Sequence, residues 1–148
     1  MLQEIIELQN SAVEKLIALT RQNAKNVYTF RAPTGSGKTY MMADYMNRLL
    51  HINSDVVFLV SSLSKSDLAK QNYDKFCEYR DNNGFGSLNP YLINSDIAGE
   101  ERLYIPADYN VYLLPRDLYK KDSRLMAGPM LNFLHELKWI GGKRIVWI

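Results

Sequence analysis

The sequence has very little cysteine and no long apolar run. A single cysteine, Cys77, cannot form a disulfide within the chain, which is typical of a reducing compartment. The longest strongly apolar run, residues 56–60, is far shorter than the ~20 residues that a membrane helix needs. The N-terminus carries Glu4 and Glu7, unlike the basic start of a signal or transit peptide. We therefore expect a cytoplasmic protein that makes no contact with a membrane.

Glycine and proline are also few, with 8 and 5 residues, which excludes collagen-like and low-complexity proteins. The chain has 148 residues, of which 47% are hydrophobic and 23% charged, and these values are ordinary for one globular domain. The net charge of +2 is too small to indicate nucleic-acid binding by itself. We therefore expect a single domain over residues 1–148, in which a local basic cluster would matter more than the total charge.

Segments with helical and strand-like patterns alternate along the chain. The predicted helices cover 11–22, 38–50, a segment from Ser64 or Asp67 to just before Asp81, and 130–139. The predicted strands cover 27–31, 55–60, 91–94, 111–114 and 143–148. This alternation predicts an α/β fold with a parallel sheet, and ligands bind such sheets at the carboxyl ends of the strands.

Residues 32–39, Ala-Pro-Thr-Gly-Ser-Gly-Lys-Thr, form the most specific motif of the sequence. They match the phosphate-binding pattern G-x-x-x-x-G-K-[ST], except that Ala32 stands at the first glycine. A predicted strand before the loop and a predicted helix after it give the required context. In such a loop successive backbone N–H groups converge on an anion, and the helix start adds positive charge. The converging N–H groups are predicted to be those of Thr34, Gly35, Ser36 and Gly37.

The two residues that follow the loop carry the side-chain chemistry. The Lys38 ammonium is placed to reach the β- and γ-phosphates of a nucleotide, which makes it the candidate catalytic residue. The Thr39 hydroxyl is placed to ligate Mg²⁺. The loop alone does not indicate which nucleotide is bound.

The motif at 33–39 resembles motif I of superfamily 2 helicases, many of which also carry alanine before it. Upstream, Leu8-Gln9 and the following Ala12-Val13 resemble the segment that places a glutamine beside adenine, a role that would fall to Gln9. The chain most resembles the restriction (motor) subunit of type III restriction enzymes. This resemblance implies a P-loop NTPase (RecA-like) three-layer fold with a mainly parallel sheet, and it implies ATP and Mg²⁺ as cofactors.

The resemblance also implies contacts with DNA. Ser61 and Ser62 follow a predicted strand at the position of motif Ia, which touches the nucleic-acid backbone, although Pro-Thr is usual there. Arg116 falls near the next such motif, which here lacks its customary threonine. Arg116 also belongs to a basic cluster over 116–124, which is either a solvated surface or a contact to nucleic-acid backbone.

The end of the sequence resembles the strand that leads into motif II, the Asp-Glu box that holds Mg²⁺. The resemblance therefore implies that 1–148 is a partial first RecA-like lobe, incomplete at its C-terminal end. Its partners would be DNA, a second motor lobe and a modification subunit, and the full enzyme would use ATP hydrolysis to move along DNA. The sole adjacent acidic pair, Glu100-Glu101, lies in an irregular stretch and not at a strand end. We therefore expect negligible hydrolysis by the chain alone.

Two other hypotheses remain open. A small P-loop kinase acting on a nucleoside or metabolite would need an acidic residue near the site, for which Asp96 is the best candidate, and a lid, for which 116–124 could serve. The chain could instead be a folded but inactive P-loop protein. Phosphoryl transfer to a small acceptor would favour the kinase.

Overall fold

The computed structural model describes residues 2–22, 28–29, 31, 37–61, 68–93, 105–115 and 128–148, with the backbone alone at residue 2 and at 128–131. Its helices are α1 (Leu2–Arg21), α2 (Lys38–Ile52), α3 (Leu68–Asn82) and α4 (Gly128–His135), which continues as a π-helical turn (Glu136–Ile140). Its strands are β1 (Val56–Ser61), β2 (Pro90–Leu92), β3 (Val111–Leu114) and β4 (Arg144–Trp147). None of the helices in these ranges is long and apolar enough to cross a membrane.

The four strands form one parallel sheet in the order β2-β3-β1-β4. Phe58 of β1 lies opposite Val111 of β3 on one side and opposite Val146 of β4 on the other. Because parallel neighbours need a crossover between them, the alternation of helices and strands predicts this kind of sheet. The predicted α/β fold with a parallel sheet is confirmed.

Both faces of the sheet are covered, and β1 contributes to two separate cores. Phe58 and Val60 point to the core that contains the buried residues of α2 and α3. Val57 and Leu59 point to the opposite core, which contains Phe133 of α4. Side chains alternate between faces along a strand, so an unbroken apolar run is what a strand covered on both sides requires. The structure therefore has three layers, with helices on each side of the sheet.

Tyr112 of β3 lies at the centre of the second core and is completely buried. Its hydroxyl donates to the carbonyl oxygen of Pro106 at 2.6 Å and accepts from the Tyr109 N–H at 3.2 Å. Burial raises the pKa of Tyr112 well above its usual value, because the ionised phenolate would lose its hydration. The hydroxyl thus stays protonated and ties residues 105–110 to the sheet.

Two helices differ most from their predicted bounds. The helix α1 begins at Leu2, although its apolar period is visible only from residue 11 onward. Its first turns have exposed side chains, including Leu8, so no buried stripe marks them. Near the other end of the chain, the predicted helix changes to a π-helical turn after His135, and the Gly141 N–H donates to the Glu136 carbonyl oxygen at 2.9 Å.

The strand predicted over 27–31 is not present at the residues that the structure describes there. Tyr28, Thr29 and Arg31 lie outside any strand, and their side chains are exposed. On the side of β1 away from β3, the neighbour is β4. A β-branched and aromatic composition fits a pleated, half-buried surface, but it does not decide whether a partner strand is available.

Candidate nucleotide-binding site

The N-terminus of α2 presents backbone N–H groups that the helix itself does not use. Gly37 is its N-cap residue, and the Met41 N–H donates to the Gly37 carbonyl oxygen at 2.9 Å as the first bond of the helix. The N–H groups of Lys38, Thr39 and Tyr40 precede that bond and have no acceptor within the helix. The N-cap residue Gly37 has no side chain with which to cap them. Such an end carries partial positive charge and attracts phosphate.

The side chains of Lys38 and Thr39 extend from this first turn. Lys38 is exposed and Thr39 is half-buried. Thr34, Gly35 and Ser36 lie outside the described residues, and so their role in binding phosphate stays a prediction. Among the residues that are described, no group of three or more His, Cys, Asp or Glu side chains could hold a metal ion. Ligation of Mg²⁺ by the Thr39 hydroxyl stays a prediction.

Gly37 adopts a left-handed conformation, with φ of +84° and ψ of 35°. A Cβ atom placed on this residue would lie 2.6 Å from Nε2 of Gln9 and 3.7 Å from its Cδ. The absence of a side chain therefore allows the amide of Gln9 to approach the backbone at the end of the phosphate loop. The structure thus brings together Gln9 and Gly37, which are far apart in the sequence. This close approach fits a site that holds a nucleotide between α1 and the start of α2.

Gly37→Ala should lower the free energy of unfolding by about 1–2 kcal/mol, because alanine disfavours the left-handed conformation. It should also weaken nucleotide binding, because the new Cβ would displace the Gln9 amide. Chemical denaturation and nucleotide titration measure the two effects separately.

The matched control is Gly84→Ala. Gly84 also has a positive φ, of +77°, but a Cβ there meets no atom within 4 Å. We expect a comparable loss of stability and unchanged nucleotide affinity. Equal nucleotide affinity in both variants would contradict the importance of the Gln9–Gly37 approach.

The helix α1, which carries Gln9, also packs on α2 through residues that follow Gln9 in the sequence. The hydroxyl oxygens of Thr20 and Tyr45 lie 2.6 Å apart, and Val13 of α1 is fully buried against α2. The sequence places Tyr45 on the apolar face of α2 but gives no sign of this hydrogen bond. Helical spacing does not indicate which residue of a distant helix a hydroxyl will meet.

Of the three predicted DNA-contacting residues, Ser61 lies within the described residues. Ser61 ends β1, and its hydroxyl donates to the Ile148 carbonyl oxygen at 3.0 Å. The Ser61 N–H donates to the same oxygen at 2.9 Å, so the serine is joined to the end of β4. Ser62 and Arg116 lie outside the described residues. Contact of these three residues with DNA stays a prediction.

One comparison with known proteins gives a match. The model of the family described as "Type III restriction enzyme, res subunit" matches residues 3–114 of the 148. The matched span runs from α1 through the phosphate loop to the last residue of β3. No curated protein and no solved structure shows significant similarity to the chain. Because the family model covers most of its length, the chain belongs to the family of the type III restriction enzyme res subunit, a P-loop NTPase family of ATP-dependent, helicase-like proteins.

Proposed function

We propose that residues 1–148 form the ATP-binding part of the first motor lobe of a DNA-acting translocase, the restriction subunit of a type III restriction-modification enzyme. The observation that carries the proposal is the approach of Gln9 to Gly37 at the start of α2. This approach brings the Gln9 amide, which we propose binds the adenine base, next to the helix end that we propose binds phosphate. Family membership favours this motor function over a small-molecule kinase.

Each residue of the proposed site has one task. The backbone N–H groups of residues 34–37 hold the phosphates, together with the N–H groups at the start of α2. Lys38 neutralises charge on the β- and γ-phosphates, and the Thr39 hydroxyl ligates Mg²⁺. Gln9 hydrogen-bonds the adenine edge. Bound ATP with Mg²⁺ supplies the phosphoryl group whose hydrolysis releases the free energy for movement.

The proposed DNA contacts belong to the chain segments that follow β1 and β3. Ser61 ends β1, and Pro115, which follows β3, leads directly to Arg116. Because β1 and β3 are parallel neighbours, both chain segments leave the sheet at the same edge. A second motor lobe and a modification subunit are the proposed protein partners, and the cytoplasm is the proposed compartment.

Hydrolysis is proposed to require more than these residues. Motors of this type use arginine groups from a second lobe, and one such arginine contributes ~10³–10⁵ in rate. The chain alone is therefore proposed to bind ATP with Mg²⁺ and to hydrolyse it negligibly.

Calorimetric titration of the chain with ATP and Mg²⁺, with phosphate release measured in parallel, tests this proposal. We expect saturable binding at one site without significant turnover. No binding at millimolar ATP would contradict the proposed site. Turnover that Lys38→Ala abolishes would contradict the inactivity of the chain alone. Transfer of phosphate to an added nucleoside would instead support a kinase.

A further inference from the structure

One stripe of α1 connects the Gln9 site to a hydrogen bond at the far end of the helix. Gln9, Val13, Leu16 and Thr20 follow one another at spacings of four, three and four residues, which places them on one helical face. Val13 is fully buried, and Leu16 packs against the same core. Gln9 and Thr20 are about 16 Å apart along the axis, at a rise of about 1.5 Å per residue. The stripe therefore fixes α1 on α2 at several points.

The protons of the two hydroxyl groups can be assigned from the distances. The Thr20 hydroxyl lies 2.7 Å from the carbonyl oxygen of Leu16, to which it donates its single proton. It must therefore accept in its 2.6 Å bond with Tyr45, whose phenol is the donor. Burial raises the pKa of Tyr45, and so the phenol keeps this proton at neutral pH.

The Tyr45 side chain also reaches the sheet. Its ring packs edge-to-face on Phe58 of β1, with the ring centroids 5.6 Å apart. Both Tyr45 and Phe58 are buried, and Tyr45 lies on the same helix as Lys38. One side chain thus links α1, through α2, to the strand at the centre of the sheet.

We propose that Tyr45 is a positioning residue for base selectivity: its hydrogen bond to Thr20 holds α1 at the angle that keeps Gln9 beside Gly37. The inference rests on the proposed function, because it assigns Gln9 to the adenine base. We assign Tyr45 no direct contact with the nucleotide. The Tyr45–Thr20 bond lies near the C-terminal end of α1, and the Gln9–Gly37 approach lies about 16 Å nearer its N-terminus. Loss of the bond therefore lets the part of α1 that carries Gln9 move away from Gly37.

The experiment compares the affinities of the chain for ATP and GTP, each with Mg²⁺. Tyr45→Phe removes the donor and keeps the ring on Phe58, whereas Thr20→Val removes the acceptor and Thr20→Ser keeps it. Tyr79→Phe is the matched control, because Tyr79 is a half-buried tyrosine that packs against the same core. Thermal unfolding of each variant reports stability separately from selectivity.

Tyr45→Phe and Thr20→Val should each lower the preference for ATP over GTP by about threefold to tenfold, the effect of losing one hydrogen bond. Affinity for GTP should stay unchanged, and Thr20→Ser and Tyr79→Phe should keep the wild-type preference. In a Gln9→Ala background, Tyr45→Phe should cause no additional loss of preference, because it acts through Gln9.

Several results would overturn the inference. An unchanged preference in Tyr45→Phe and Thr20→Val would do so, as would an equal loss of affinity for both nucleotides, which indicates a merely structural role. A wild-type chain that binds ATP and GTP equally would refute the adenine role of Gln9 but leave the phosphate site intact. A wild-type chain that binds neither nucleotide would refute the proposed function, and this inference with it.

Discussion

Lys38→Ala should weaken the binding of ATP with Mg²⁺ by about 10- to 100-fold, the effect of losing a charge-assisted hydrogen bond to phosphate. Lys38 is the first residue of α2, and its side chain is exposed at the helix end whose N–H groups have no acceptor within the helix. The substitution leaves the backbone N–H groups in place. The loss therefore measures the contribution of the lysine side chain, and calorimetric titration gives its size.

Lys75→Ala is the matched control for charge. Lys75 is an exposed lysine on α3, far along the chain from the phosphate loop, so its loss changes the net charge by the same amount. The affinity of this variant for ATP should equal that of the wild type at physiological ionic strength, because salt screens an exposed charge that does not belong to the phosphate site. If the two variants lose affinity equally, non-specific attraction and not a phosphate site accounts for binding.

Phe58→Ala should lower the free energy of unfolding by about 3–5 kcal/mol, which is a large part of the stability of a typical domain. Phe58 is completely buried in β1, between β3 and β4, and its ring contacts Tyr45. The truncated side chain leaves a cavity that the neighbouring strands cannot close. Urea denaturation should show a lower midpoint with an unchanged slope.

Leu8→Ala is the control for the loss of apolar surface. The Leu8 side chain is 72% exposed on α1, and alanine is the better helix former. Its stability should stay within about 0.5 kcal/mol of the wild type. Comparable losses in the two variants would mean that Phe58 does not lie in a packed core.

Residues 56–60 show how much of the fold the sequence can predict. Their unbroken apolar run predicts a strand covered on both faces, and the structure confirms it with a separate core on each side. The period of the apolar residues also predicts α2. What the sequence does not predict is the order of the strands, because hydrophobic pattern specifies which face is buried but not which strand lies beside which. The segment at 27–31 illustrates this, since its composition is strand-like but Tyr28 and Thr29 are exposed outside the sheet.

The sequence likewise predicts some features of the candidate site and not others. The residue types at 32–39 predict the phosphate loop and the helix that follows it, because the loop needs glycine, lysine and threonine at fixed spacing. The resemblance to helicases singles out Gln9, and the structure places it against Gly37. Neither the motif nor the resemblance indicates the hydrogen bond between Tyr45 and Thr20, because this bond depends on how two helices pack. The start of α1 is also missed, since its exposed first turns have no apolar stripe.

The most direct measurement follows the backbone amide resonances of the isotope-labelled chain during titration with ATP and Mg²⁺. We expect the largest chemical-shift changes at the backbone amides of Lys38, Thr39 and Tyr40 and at the side-chain amide of Gln9. These are the groups at the start of α2 and the residue beside it. Unchanged resonances at these groups, or changes confined to another surface such as α3, would contradict the claim that this chain binds ATP between α1 and α2.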